Sequence, residues 1–146
     1  MHSLFDPVEV GSLRLSNRIV MAPLTRNRAP HGVPTPLMAE YYAQRASAGL
    51  LIAEATAVNP QALCYSDVAG LWTDEQSTGW QRVTDAVHAR NGRIVVQLWH
   101  VGRISHALLH LEGHLPVAPS AIVAKAKTYL IQHGGGSFQP TSTPAR

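Results

Sequence analysis

Leu50-Leu51-Ile52-Ala53-Glu54-Ala55-Thr56-Ala57-Val58 is an apolar run carrying one acid, closed by Asn59-Pro60. A short continuous run bounded by turn residues fits a strand covered on both faces, as in a parallel sheet. The flanks decide the rest. Upstream, Thr35-Pro36 supplies an N-cap and a proline for the first helical position. Met38, Tyr41, Tyr42 and Arg45 (through its stem) follow at helical spacing, and Gly49 reads as the C′ stop. Before them, Arg18-Ile19-Val20-Met21-Ala22 is a second apolar run, closed by Pro23. Downstream, Thr73-Asp74-Glu75-Gln76 has the capping-box form with acids in the first turn. Trp80, Val83 and Val87 recur at helical spacing, and Asn91-Gly92 ends the helix. Arg93-Ile94-Val95-Val96-Gln97-Leu98-Trp99 is a third run, also read as a strand buried on both faces. At the start, Val8 to Leu15 alternates around Gly11-Ser12 and reads as a hairpin.

The order is therefore hairpin, β, α, β, α, β. Strands separated by helices predict βαβ units, a parallel sheet and right-handed crossovers. Two α/β folds compete: an open doubly wound sheet and a (β/α)8 barrel. A doubly wound nucleotide binder usually carries a glycine-rich turn after its first strand. Here Pro23-Leu24-Thr25-Arg26 stands there instead, which disfavours the open sheet.

The chain has 146 residues, with 12 Lys and Arg against 9 Asp and Glu, for a formal charge of +3. Apolar residues make up 45% and charged residues 14%, the latter against about 25% in an average domain. This is not the composition of a disordered chain. The basic residues are scattered, so no nucleic-acid partner is expected. No apolar run reaches the roughly 18 residues of a membrane span. Met1 to Pro7 includes Asp6 and lacks an apolar core, so a signal peptide is not expected. A lone cysteine, Cys64, excludes an internal disulfide framework, and a reducing, cytoplasmic setting is the expectation.

In α/β folds chemistry sits at the C-terminal ends of the strands. The first end offers Pro23, Leu24 and Thr25, the second Thr56 and Ala57, the third Gln97, Trp99 and His100. These groups suit a neutral, planar, hydrogen-bonding ligand better than an acid–base reaction. A Gln amide places a donor beside an acceptor and so matches a ring imide. A Thr hydroxyl can donate to a ring carbonyl, and a small Ala lets a flat ring approach the backbone. Taken singly, each has a plainer explanation: a Gln satisfying its neighbours, a Thr forming a turn.

Together these residues carry a resemblance. Asn17-Arg18-Ile19-Val20-Met21-Ala22-Pro23-Leu24-Thr25-Arg26, Ala39-Glu40-Tyr41-Tyr42-Ala43-Gln44-Arg45-Ala46, Glu54-Ala55-Thr56-Ala57, Gln97-Leu98-Trp99-His100-Val101-Gly102-Arg103 and Leu115-Pro116-Val117-Ala118-Pro119-Ser120-Ala121-Ile122 resemble the Old Yellow Enzyme family, as does Leu4-Phe5-Asp6-Pro7. The motifs run in order up to about Ile122; beyond it only Thr143-Pro144-Ala145-Arg146 is similar. The resemblance implies the N-terminal part of a (β/α)8 TIM barrel over residues 1–146, with three βα units, an N-terminal hairpin and a long excursion over 100–146. It implies an ene-reductase that passes hydride from NAD(P)H through FMN to an activated small-molecule alkene. Pro23, Leu24 and Thr25 would line the flavin, with Thr25 bonding O4. Ala57 would give a backbone contact near O4, and Gln97 would bind the pyrimidine edge. Tyr65 and Trp99 would wall the substrate pocket. The proton-donating Tyr and the phosphate site are expected later in the fold, so no catalytic residue is assigned here. A barrel of this kind needs about 250 residues, so the missing strands or self-association would complete this part. The alternative is an inactive half-barrel acting as a binding module.

Some features stand outside the resemblance. His106, His110 and His114, with His100 upstream, would share a face if helical, as metal ligands can. Gly113 and Pro116 interrupt the segment and carboxylate or thiolate co-ligands are few, so no metal is expected. Gly134-Gly135-Gly136-Ser137, after His133, reads as a flexible loop rather than a phosphate nest, and residues 100–146 show no strand pattern. Cys64 reads as structural. Glu54, inside a buried strand, needs a partner, with Arg18 or Arg26 as the candidates for an ion pair.

Overall fold

The computed structural model describes residues 3–132 and 134–146. A hairpin of β1 (Val8–Val10) and β2 (Leu13–Leu15) opens the chain. The central sheet holds β3 (Val20–Met21), β4 (Leu50–Ala57) and β5 (Ile94–Trp99), all parallel and in the order β3-β4-β5. Helix α1 (Pro36–Ala43) joins the first pair and α2 (Asp74–His88) the second. Val20 pairs with Leu50, and Leu51 with Ile94. The two expected βαβ units are present.

Each helix starts where its capping residues place it. Thr35 Oγ1 accepts from the Met38 N–H, with Pro36 as the first helical residue. Thr73 accepts from the Gln76 N–H at 3.2 Å, and Gln76 Oε1 accepts in return from the Thr73 N–H, completing the capping box. Both helices pack on the same side of the sheet. Met38, Ala39, Tyr42, Trp80, Val83 and Val87 form one core with Leu51 and Ala53 of β4.

That one-sided cover corrects the reading of all three strands as buried on both faces. β4, with a neighbour on each edge, is buried along most of its length. β3 and β5 are the sheet's edges in this chain, and Val20 is 47%, Val95 40% and Leu98 56% exposed. Ile94 and Val96 pack against the helices, so by alternation Val95 projects from the opposite, uncovered face.

Gly49 does not end α1. The helix stops at Ala43 with Gln44 as cap, and turns carry the chain on to Ser47. Gly49 instead lies against Asn17, whose side chain accepts from the Gly49 N–H at 2.8 Å and donates to the Ser47 carbonyl at 2.9 Å. At the end of α2, Asn91 adopts a left-handed φ of 58°. Gly92 is buried there, and its N–H donates to the Val87 carbonyl at 3.1 Å.

The absence of strands expected over 100–146 is also corrected. β6 (Lys127–Gln132) and β7 (Gly135–Pro140) form an antiparallel hairpin. Gly135, Gly136 and Ser137 belong to β7 rather than to a flexible loop, while His133 lies outside the described residues. Thr128 and Leu130 point inward and are buried, and the Tyr129 ring lies 5.3 Å from that of Phe138. The excursion holds two 3₁₀ turns as well, Ala107–Leu109 and Leu111–Gly113.

Candidate functional site

The parallel sheet brings three strand exits to one end. Ala55 pairs with Gln97, Thr56 with Leu98 and Ala57 with Trp99, so the ends of β4 and β5 are level. Pro23, Leu24 and Thr25 follow β3 directly. Leu24 is 57% exposed, and Pro23, Thr25, Gln97 and Trp99 are half-buried. Among the described residues, neither the Thr25 hydroxyl nor the Gln97 side-chain amide has a hydrogen-bond partner. The Trp99 indole N–H is buried and equally unpartnered. Buried polar groups in folded proteins are nearly always satisfied. Of the three only the Trp99 N–H is buried and unsatisfied; the half-buried Thr25 hydroxyl and Gln97 amide stand beside it at neighbouring strand ends, and together they supply donors and an acceptor that a ligand could use.

Ala57 departs from expectation. It is fully buried; its N–H donates to the Ala69 carbonyl at 2.9 Å, and its carbonyl accepts from Leu71 at 2.9 Å. The backbone contact expected of Ala57 is made within the fold, so this residue backs the site rather than facing it. Tyr65 lies on the loop after β4, half-buried, and burial pushes its hydroxyl pKa up. Its neighbour Cys64 is buried, with a thiol pushed up to about 12 by burial, which leaves it inert.

A group that the sequence reading placed differently sits directly behind the β3 exit. Glu54 is fully buried, but its partners are not arginine side chains. Its Oε2 accepts from the backbone N–H of Arg26 at 3.2 Å and its Oε1 from the Tyr42 hydroxyl at 3.2 Å. The same hydroxyl accepts from the Glu54 N–H at 2.8 Å. The Arg26 guanidinium instead lies over the Tyr41 ring, 5.5 Å from its centroid. Glu54 thus ties Arg26, and with it the Pro23–Thr25 segment, to β4 and α1. The acid inside an apolar strand was the only signal; its partner Tyr42 looked like an ordinary core position.

Burial holds the Glu54 carboxyl above its ordinary range, outweighing the hydrogen bonds and the nearby arginines that favour its charge. The folded state therefore binds a proton more tightly than the unfolded chain. Stability is full below the ordinary carboxylate pKa and declines as pH rises from there through the raised value. Tyr42→Phe leaves the Glu54 N–H and Oε1 unpaired and should cost about 1–3 kcal/mol. Urea unfolding at several pH values checks both statements: a wild-type stability that instead rose across that interval would sink the first.

The histidines do not form the helical face considered above. His106 Nδ1 accepts from the Leu108 N–H at 3.1 Å, His110 is buried, and His114 Nε2 lies 3.4 Å from Glu112 on an exposed turn. The interrupted chain winds as separate 3₁₀ turns. Among the described residues no group of three or more His, Cys, Asp or Glu side chains could hold a metal ion.

Residues 3–134 match the model of the NADH:flavin oxidoreductase / NADH oxidase family. The chain belongs to this family. A rice (Oryza sativa subsp. japonica) protein, 12-oxophytodienoate reductase 7, is 43% identical over 133 residues, covering 90% of this chain and 34% of the relative. Chanoclavine-I aldehyde reductase fgaOx3 of Penicillium roqueforti is 48% identical over 128 residues, covering 85% and 35%. Among solved structures, morphinone reductase in complex with tetrahydroNAD superposes with a TM-score of 0.94 at 52% identity, over 99% of this chain and 40% of that one. The old yellow enzyme homologue from Zymomonas mobilis gives 0.84 at 44% identity, again over 99% and 40%. The chain thus spans about a third of the curated relatives' length, and this flavin oxidoreductase family member has the architecture of the N-terminal part of a (β/α)8 barrel. The two sheet edges left open by β3 and β5 are those along which such a barrel continues.

Proposed function

We propose that this chain forms the flavin-ring side of an FMN-dependent ene-reductase, using NAD(P)H to reduce a small activated alkene. The observation that carries this reading is the set of groups at the strand ends: the buried, unpartnered Trp99 indole N–H, beside the half-buried Thr25 hydroxyl and Gln97 amide, which have no hydrogen-bond partner among the described residues. FMN, when bound, supplies the two-electron carrier that accepts hydride from NAD(P)H and hands it to the alkene β-carbon. The chain's own residues bind and orient. Gln97 presents its donor and acceptor together to the imide edge of the ring. Thr25 donates to the ring carbonyl, where negative charge is favoured on reduction. Pro23 and Leu24 give an apolar surface to the ring, with Ala57 behind it. Tyr65 and Trp99 wall the alkene's approach. Glu54, through the Arg26 amide, holds Thr25 in place. No residue of this segment is assigned the proton transfer.

The reading has a direct test. FMN titrated into the purified chain should shift the flavin absorption bands and quench flavin fluorescence. No spectral change at any FMN concentration would overturn it and favour the second reading, a binding module without turnover. That second reading draws on the open edges and on the exposed Val20, Val95 and Leu98. In the FMN-loaded protein, Thr25→Ala should lower the two-electron midpoint potential by about 30 mV, the equivalent of one hydrogen bond of about 1.4 kcal/mol. A potential unchanged in redox titration would remove Thr25 from this role.

A further inference from the structure

A groove of about 510 Å³ runs between the loop after β3, the loop after β4, the start of α2 and the two 3₁₀ turns of the excursion. Val33, Leu63, Trp72, Leu109 and Leu111 give it apolar walls, with His31 and Glu75 exposed at its rim. That volume lies in the range of small-molecule sites, which combine mostly apolar walls with a few fixed polar groups. None of Pro23, Leu24, Thr25, Tyr65, Gln97 and Trp99 lines it, so it is separate from the strand-end site.

One polar group is built into this lining. Gln76 is only 2% exposed, yet it lines the groove. Its amide has one orientation: Oε1 accepts from the backbone N–H of Trp72 at 2.8 Å and of Thr73 at 3.2 Å, so Nε2 is the atom on the other side. The capping box thus spends the acceptor of this amide and leaves its donor. Among the described residues Nε2 has no hydrogen-bond partner, and it is not sealed off: the sealed, unpartnered polar atoms belong to Asn59, Trp99 and Thr128. Two glycines make room for it. A Cβ at Gly32 would lie 2.9 Å from Nε2, and one at Gly70 would lie 2.7 Å from Nε2 and 2.6 Å from the Trp72 ring. The free donor and the edge of a flat apolar ring therefore meet over Gly70.

The lining also says which ligands are refused. It carries no Lys or Arg to hold an anion, and its one carboxylate, Glu75, stands exposed at the rim, away from the Gln76 floor. An amide nitrogen donates and does not accept, so the ligand has to bring the acceptor. We propose that this groove binds a neutral ring compound bearing a carbonyl, with the ring against Trp72, Leu109 and Leu111 and the carbonyl oxygen accepting from Gln76 Nε2. The site is formed by this chain alone. Neither FMN nor NAD(P)H enters it, so it stands independently of the flavin reading.

Proton–nitrogen NMR on the purified chain, titrated without FMN, tests this with two probes: 1-tetralone, a neutral bicyclic ketone, and tetralin, the same skeleton without the oxygen. Tetralone should shift the Gln76 side-chain NH₂ and Trp72 indole resonances and saturate both together. Gln76→Glu keeps the two acceptor bonds of the capping box, which takes Glu as readily as Gln, but turns an oxygen toward the ligand carbonyl. That variant should bind tetralone about tenfold more weakly or worse, the loss of one hydrogen bond, while its affinity for tetralin stays within about twofold. Tetralone shifts confined to strand-end residues such as Gln97 and Trp99, or no saturating shift at all, would overturn the assignment. So would a Gln76→Glu chain that binds tetralone as well as wild type, or one that loses both probes equally. Should that variant fail to fold, wild type decides: tetralone must move the Gln76 NH₂ resonances, and tetralin must move Trp72 while leaving them nearly in place.

Discussion

Gly49→Ala is expected to destabilise the chain by about 3 kcal/mol or more, a loss reserved for a few named mechanisms such as overpacking. A Cβ at Gly49 would run into the backbone carbonyl of Asn17, a rigid neighbour rather than a flexible side-chain end. Relief requires moving Asn17, and Asn17 is a staple. Besides the bonds to Gly49 and Ser47, its Oδ1 accepts from the Ile19 N–H at 3.1 Å. The methyl group therefore pries β3 from β4, and β3 offers only the Val20 and Met21 pairings to resist. The measurement is the denaturant midpoint against wild type. Gly11→Ala is a useful contrast: unlike Gly49, Gly11 has a left-handed φ, of 58°, but it has nothing within 4 Å of the added Cβ. Its cost is the backbone conformation alone, about 1 kcal/mol. Equal losses for the two variants would refute the steric account.

Gln97→Leu should weaken FMN binding by roughly 30- to 100-fold, about 2–3 kcal/mol. The amide is unpartnered within the chain, so nothing in the fold depends on it, and stability should stay within about 0.5 kcal/mol. The ligand bears the loss, because its imide would face an apolar side chain with two hydrogen-bonding groups unmet. Fluorescence titration with FMN gives the ratio. A variant that binds FMN as well as wild type would show that Gln97 does not read the imide edge. The two variants also separate two failures: Gly49→Ala damages the scaffold, while Gln97→Leu leaves the scaffold and removes recognition.

The sequence shows its helix starts clearly because capping chemistry is local. Thr35-Pro36 and Thr73-x-x-Gln76 work within a turn of themselves, and both stand in the structure. Burial is less legible. An apolar run looks alike whether it is central, as β4 is, or at an edge, as β3 and β5 are, since cover comes from elements distant in the chain. Gly49 shows the same limit: read locally it resembles a helix stop, but its reason is Asn17, far upstream. The β6–β7 hairpin escaped because glycines obscure the alternation that Thr128 and Leu130 display. For the candidate site, the strand-end positions of Thr25 and Gln97 are legible because the strands that carry them are, and strand ends are where α/β folds expose polar groups. Glu54 was visible as an anomaly, but its partners, a tyrosine hydroxyl and a main-chain amide, follow no charge pattern.

The close of α2 has a consequence for how the protein ages. Asn-Gly is the dipeptide most prone to deamidation, in which the glycine's backbone nitrogen attacks the asparagine side-chain carbonyl to form a succinimide. At Asn91-Gly92 that nitrogen is committed to the Val87 carbonyl, and the glycine is wedged so tightly that an added Cβ would lie 2.7 Å from Val87 and 2.8 Å from Ala46. The cyclisation geometry is closed off while α2 is in place. Isoaspartate at position 91 would therefore accumulate with time spent unfolded, leaving a chemical record of each molecule's past openings.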